Sequence, residues 1–254
     1  MDLERQWSIF GVNCPPMTVI VSSYLPGKGF MLAADGLRSD GATREPISTT
    51  TQKIHFGDHP DFKFAYAWTG GVRFSTMCGC DFDFAERTGS LIKDMREIAY
   101  SSAHAFILDV AWLLYVELGF RLPGLRLFPP TNPPDLLAAC LFAGYFRGKP
   151  FEAEIFYRHD GGILQPYEIR RIESFDGGPS SFYRFSGSQT VFESLISSAP
   201  EFMPEAIEMA IKYIQKCEDG CGVIPDCKGF GGHIHAASVN PDGQPSWIIE
   251  PVSL

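Results

Sequence analysis

Residues 14–41 read CPPMTVIVSSYLPGKGFMLAADGLRSDG, and the two apolar runs inside this stretch, MTVIV and GFMLAAD, decide the fold. Both are rich in β-branched and other apolar residues, and the polar segment between them, SSYLPGKG, contains a Pro-Gly turn signal. That combination predicts an antiparallel hairpin. Pro15-Pro16 hold the preceding chain extended and stop any helix from running into the first strand, so residues 1–16 read as a leader. Thr18 stands at the head of the first run. A hydroxyl there is either a nucleophile or the first residue of a strand, and the residues alone leave both readings open.

Outward from the hairpin, a polar stretch, GLRSDGATREPISTTTQ, leads to two further strand patterns, KIHFGD and KFAYAWTGG. From Val72 the pattern predicts a helix over VRFSTMCGCDFDFAERTG, weakened by Gly79. A longer helix is predicted over LIKDMREIAYSSAHAFILDVAWLLYVELG, apolar nearly all round from Ala105 as for a helix buried between layers, and ended by Gly119. Beyond a Pro-rich loop come the strands LLAACLFAGYF and PFEAEIFYRHDGGILQPYEI, then FYRFSG running into SQTVFESLISS. A helix over EAIEMAIKYIQKCEDG and a final hairpin over GGHIHAASVNPDGQPSWIIEPV complete the chain. Strands, two helices, strands, two helices, strands is the order of an α+β protein, and a four-layer α/β/β/α sandwich in one domain, residues 17–254, fits it.

The 254 residues carry 45% hydrophobic side chains and a formal net charge of −9, enough for a sizeable core and contrary to a nucleic-acid partner. No basic n-region followed by an apolar h-region opens the sequence, and AFILDVAWLLYVELGF is interrupted by Asp109 and Glu117, which argues against a membrane span. Seven cysteines, an odd number, fit reduced thiols in a cytoplasm.

MTVIV…GFMLAADGLRSDG, then QKIHF, FAYAWTGG and FYRFSGSQTVFESL, in that order, resemble the proteasome-type subunits of the N-terminal-nucleophile hydrolase superfamily. The resemblance runs from about Met17 to Val252. It implies the four-layer sandwich, hydrolysis of peptide amides through an N-terminal threonine, and a homo-oligomeric ring whose companion ATPase, if any, is unspecified. Thr18 would be the nucleophile after loss of residues 1–17, with Oγ attacking the carbonyl and the freed α-amine taking the proton. Asp35 matches the aspartate of the AAD motif and Lys53 the lysine before an Ile or Val. Gly71 of WTGG matches the oxyanion-hole glycine, and Ser186 of SGS the serine that contacts the nucleophile's amine.

Other positions depart from that pattern. Met17, not glycine, precedes Thr18; Phe230 stands at the serine position of CKGFGG; Asp226 lies one residue from the family's aspartate. These departures support the alternative of a non-catalytic, ring-forming subunit that keeps its leader, with Trp7, Ile9 and Phe10 as apolar groups for the leader to bury. A third reading is a small-molecule amidohydrolase with Cys14 as its terminal thiol. Cys217, Cys221, Cys227, His233 and His235 invite a metal reading, but their spacing fits no common zinc pattern. Neither a metal nor a cofactor is expected, and Cys78-x-Cys80 lacks the CxxC spacing of redox pairs.

Overall fold

The computed structural model describes residues 18–39, 45–70, 73–75, 81–121, 135–160, 163–172, 181–195, 198–227, 229–242 and 244–252. The quoted stretch forms the hairpin: β1 (Ile20–Leu25) and β2 (Gly29–Ala34) pair antiparallel from Ile20↔Ala34 to Leu25↔Gly29. The strand extends through SSYL, so the turn is shorter than the sequence predicts, only Pro26-Gly27-Lys28, closed by the Lys28 N–H donating to the Leu25 carbonyl at 3.0 Å. Both strands are buried along their whole length, Ser22 and Ser23 included, although those serines read as the start of a turn.

Two short strands, β3 (Arg38–Ser39) and β4 (Pro46–Ser48), precede the pair β5 (Ile54–His59) and β6 (Phe62–Gly70). The helix predicted from Val72 is found only in its last part, from Phe84. Its earlier residues instead give β7 (Arg73–Ser75) and β8 (Asp81–Asp83), paired antiparallel, and α1 (Phe84–Asp94) starts only afterwards. Asp83 sets that start: its Oδ1 accepts from the N–H groups of Ala85 at 2.9 Å and Glu86 at 3.1 Å, an N-cap on which the helix begins. Phe82 and Phe84 are both buried on either side of the cap, a strand period that the helical reading missed.

The predicted long second helix is likewise divided. α1 ends at Met95, and α2 (Ala103–Arg121) starts where Ser102 Oγ accepts from the Ala105 N–H at 3.1 Å. α2 is apolar nearly all round yet lies at the surface. Phe106, Val110, Ala111, Leu114 and Leu118 are buried, while Leu108, Trp112, Leu113 and Phe120 are exposed. By length and composition its residues 103–120 would also suffice to cross a membrane.

The second half holds the long strands β9 (Asp135–Phe146) and β10 (Lys149–Asp160), the shorter β11 (Ile163–Leu164), β12 (Glu168–Ile172) and β13 (Phe182–Ser186), the helices α3 (Gln189–Leu195) and α4 (Met203–Asp219), and the closing hairpin β14 (His235–Val239) and β15 (Ser246–Ile249). One sheet runs β13-β1-β2-β14-β15 and the other β11-β10-β9-β6-β5, with β12 on β10. The protein is therefore α+β, built on antiparallel pairs with four helices among the described residues.

Three apolar clusters hold it together. Ile20, Phe30, Leu32 and Val239 of the first sheet pack with Ile54, Ala65, Leu141 and Tyr145 of the second. The other face of the second sheet packs on α1 and α2, with Trp68 and Phe84 at 4.5 Å between ring centres. The other face of the first sheet packs on α3 and α4 through Val21, Met31, Phe192 and Tyr213. Each large side chain so buried contributes about 1.5–3 kcal/mol.

Candidate functional site

Thr18 and Val19 stand immediately before β1, and β2 ends beside them at Ala34, so the hairpin register delivers Asp35 to the same place. The two segments are tied reciprocally: Asp35 N–H donates to the Val19 carbonyl at 3.2 Å, and Val19 N–H donates to Asp35 Oδ1 at 2.9 Å. Lys53, directly before β5, reaches the same carboxylate with Nζ 2.6 Å from Oδ1. The other oxygen, Oδ2, accepts from Gly231 N–H at 3.1 Å. Asp35 is fully buried and Lys53 nearly so. Burial pushes the Asp35 carboxyl up and the Lys53 ammonium down from their ordinary values, and their mutual attraction opposes both shifts.

Ser186 ends β13, which pairs with β1 from Ile20↔Ser186, and its Oγ donates to the Thr18 carbonyl at 3.1 Å. Of the five residues picked from sequence, Thr18, Asp35, Lys53 and Ser186 are thus joined by direct or single-residue links. Gly71 lies outside the described residues, as do Cys14, Cys78, Cys80 and the whole leader. Its neighbour Gly70 has φ +92°, and a Cβ there would sit 2.8 Å from the Leu137 carbonyl oxygen, so only glycine fits the end of β6. Thr18 and Lys53 open onto a cleft of about 790 Å³ whose walls include Gly70, His55, Trp68 and Asp83.

His235 has a role that its place in a cluster without zinc spacing does not reveal. In the structure His233 precedes β14 and faces the Glu250 carbonyl at 2.8 Å from Nε2, whereas His235 is buried under Lys53. His235 Nε2 accepts from the N–H groups of Lys53 at 3.0 Å and Ile54 at 3.4 Å. That role requires a neutral ring with its proton on Nδ1. Burial, with the Lys53 charge second, pulls its pKa down to about 4. Among the described residues no three His, Cys, Asp or Glu side chains are grouped to hold a metal ion.

Asp226 and the SGSQ turn form a neighbouring unit. Asp226 accepts from Ser188 Oγ at 2.8 Å and from the N–H and Oγ1 of Thr190 at 3.1 and 3.2 Å, and Ser188 Oγ caps α3 through Val191 N–H at 3.0 Å. Gly187 has φ +144°, and a Cβ there would lie 2.6 Å from the Tyr213 hydroxyl that donates to the Ser188 carbonyl. Phe230 is buried with Cys217 and Cys227 in the α4-side cluster and brings no hydroxyl to the Thr18 end.

No family model matches the sequence, and no curated protein matches it. Solved structures do. An Anbu mutant from Hyphomicrobium sp. strain MC1 shares 10% sequence identity over 91% of this chain and 87% of its own, with a TM-score of 0.56. At that identity the likeness is one of fold, a distant proteasome-like N-terminal-nucleophile hydrolase fold.

Proposed function

We propose that this chain is a threonine-type amide hydrolase, with Thr18 as nucleophile once residues 1–17 are removed. One observation carries the reading: a single buried carboxylate, Asp35, binds both the Lys53 ammonium and the N–H of Val19, the residue joined to Thr18. Lysine and nucleophile are fixed to one anchor, at the mouth of a cleft. The proximity of Lys53⁺ lowers the pKa of a free Thr18 amine toward neutrality, where it is effective as a base. The amine takes the Oγ proton as Oγ attacks a peptide carbonyl, then passes it to the departing nitrogen, leaving an ester on Thr18 that water hydrolyses. Gly71, the residue after Gly70 in the sequence, would supply the oxyanion N–H.

The three apolar clusters support a four-layer α/β/β/α sandwich in a single domain, residues 17–254. Its substrates would be peptides or proteins in the cytoplasm, and its working form a homo-oligomeric ring. One observation favours the second reading, a non-catalytic ring subunit that retains its leader: Phe230 fills the core where the family pattern puts an amine-orienting serine.

The test is hydrolysis of a panel of fluorogenic peptide amides by the wild-type chain and by Thr18→Ala. Turnover that falls to background in Thr18→Ala supports the hydrolase. Turnover unchanged in Thr18→Ala excludes Thr18 as the nucleophile, and a wild-type chain that retains residue 17 and cleaves nothing supports the structural subunit.

A further inference from the structure

A second buried ionic group lies between the sheets, away from Asp35. The pleat of β10 sends Phe151, Ala153, Ile155 and Tyr157 into the helix-side cluster, so Glu152 and Glu154 face the opposite sheet. Glu152 is fully buried and satisfied at both oxygens: Oε2 accepts from Arg184 Nε at 2.7 Å and Oε1 from Ser22 Oγ at 2.7 Å. Glu154 is 5% exposed, and its Oε2 is buried with no hydrogen-bond partner among the described residues. The Arg184 guanidinium is thus bonded to Glu152, and Glu154 Oε2 is left without a hydrogen bond among the described residues.

Glu154 borders a small cavity of about 20 Å³, whose other polar walls include Thr69, Arg184 and Ser186. A space above roughly 10–15 Å³ with several polar neighbours holds one water. The charged and titratable groups around Glu154 are Glu152 on its own strand, Arg184 on β13, Arg170 and Glu168 on β12, and the Cys140 thiol on β9, which lines the same cavity. Burial and the Glu152 charge raise the Glu154 carboxyl to about 7, against the pull of Arg184 and Arg170.

We propose that Glu154 is a proton-bearing acid that, with Ser186 and Thr69, binds one water molecule linked to the Thr18 carbonyl through the Ser186 hydroxyl. The carboxyl donates to the water, the water donates to a wall hydroxyl, and Ser186 donates to Thr18. Glu154 is then a positioning residue behind Thr18. The water and the proton do not depend on peptide hydrolysis, so this assignment and the proposed function fail separately.

The test compares the full chain with Glu154→Gln and Glu154→Leu. In the wild type at pH 6, difference infrared spectroscopy shows a buried protonated carboxyl band that is missing from Glu154→Gln. An acid whose folded pKa is raised stabilises the fold below its unfolded value of about 4.5 and loses that contribution as pH rises through about 7. Relative to Glu154→Gln, the wild type's folded-to-unfolded ratio therefore falls by roughly a hundredfold between pH 4.5 and 8. Glu154→Gln retains the water in a high-resolution structure and Glu154→Leu loses it. If neither variant folds, carboxyl carbon NMR of the wild type still decides, through one Glu resonance titrating near pH 7. A missing carboxyl band, identical pH dependence in wild type and Glu154→Gln, or a Glu resonance set titrating wholly near 4.5 overturns the proposal.

Discussion

Two ionic groups are buried among the described residues, and they are built differently. At Asp35 one acid meets one base, and backbone N–H groups of Val19 and Gly231 complete the carboxylate's hydrogen bonding. At Glu152 and Glu154 two buried acids lie on one strand, the partly buried Arg184 pairs with the first, and Glu154 Oε2 has no hydrogen-bond partner among the described residues. A closed pair holds geometry, which suits a lysine fixed to the carboxylate that also binds the Val19 N–H. An unbalanced one holds a proton, which suits a group that titrates. The difference lies in stoichiometry, since both groups are almost fully out of water.

The largest expected effect breaks the closed pair. Lys53→Met leaves the Asp35 carboxylate buried without its cation and costs about 3–5 kcal/mol at pH 7, read from denaturant unfolding. Replacing both members by apolar residues, Asp35→Leu with Lys53→Met, costs less than the sum of the single changes. In the unbalanced group, Arg184→Met costs about 3 kcal/mol at pH 8, where the acids are ionised. Its cost shrinks at pH 5, because Glu154, raised to about 7, takes up a proton there. A cost independent of pH would mean that the two groups do not differ as described.

His235 provides a third point of comparison, since it holds Lys53 in place from below. Its folded pKa, about 4, lies under the ordinary value of 6.5, so the unfolded chain binds the proton first as pH falls. Its contribution is complete above pH 6.5 and is lost as pH drops toward 4, a loss of up to about 3 kcal/mol at 1.36 kcal/mol per unit. In His235→Gln this part of the acid slope flattens; an unchanged slope would place the titration elsewhere. The smallest effect belongs to Ser186→Ala, which removes one hydrogen bond to Thr18 and costs about 1 kcal/mol of stability, measured by thermal unfolding.

Much of this was legible in the sequence. The β1–β2 hairpin, the β5–β6 pair and the order of strand and helix blocks followed from apolar runs and turn residues, because buried central strands leave an unbroken apolar record. The Asp35–Lys53 pair was also legible, through motifs that flank the strands carrying it. The stretch from Val72 was not. Its helical spacing was outweighed by the Asp83 cap and by Phe82 and Phe84 packing at strand period. Glu152 and Glu154 were invisible for a related reason. In FEAEIF the alternation of acid and apolar residues is the ordinary mark of a solvent face, yet here that face meets a second sheet. The role of His235 was not legible because its spacing says nothing of the Lys53 and Ile54 N–H groups that its ring accepts from.

The most direct test of the central claim is the N-terminus of the purified chain, read by intact mass and N-terminal sequencing. If Thr18 is the nucleophile, the mass falls by residues 1–17 and the first cycle yields threonine. A chain in which the Met17–Thr18 peptide bond persists after prolonged incubation leaves Thr18 with no free amine, and contradicts the claim.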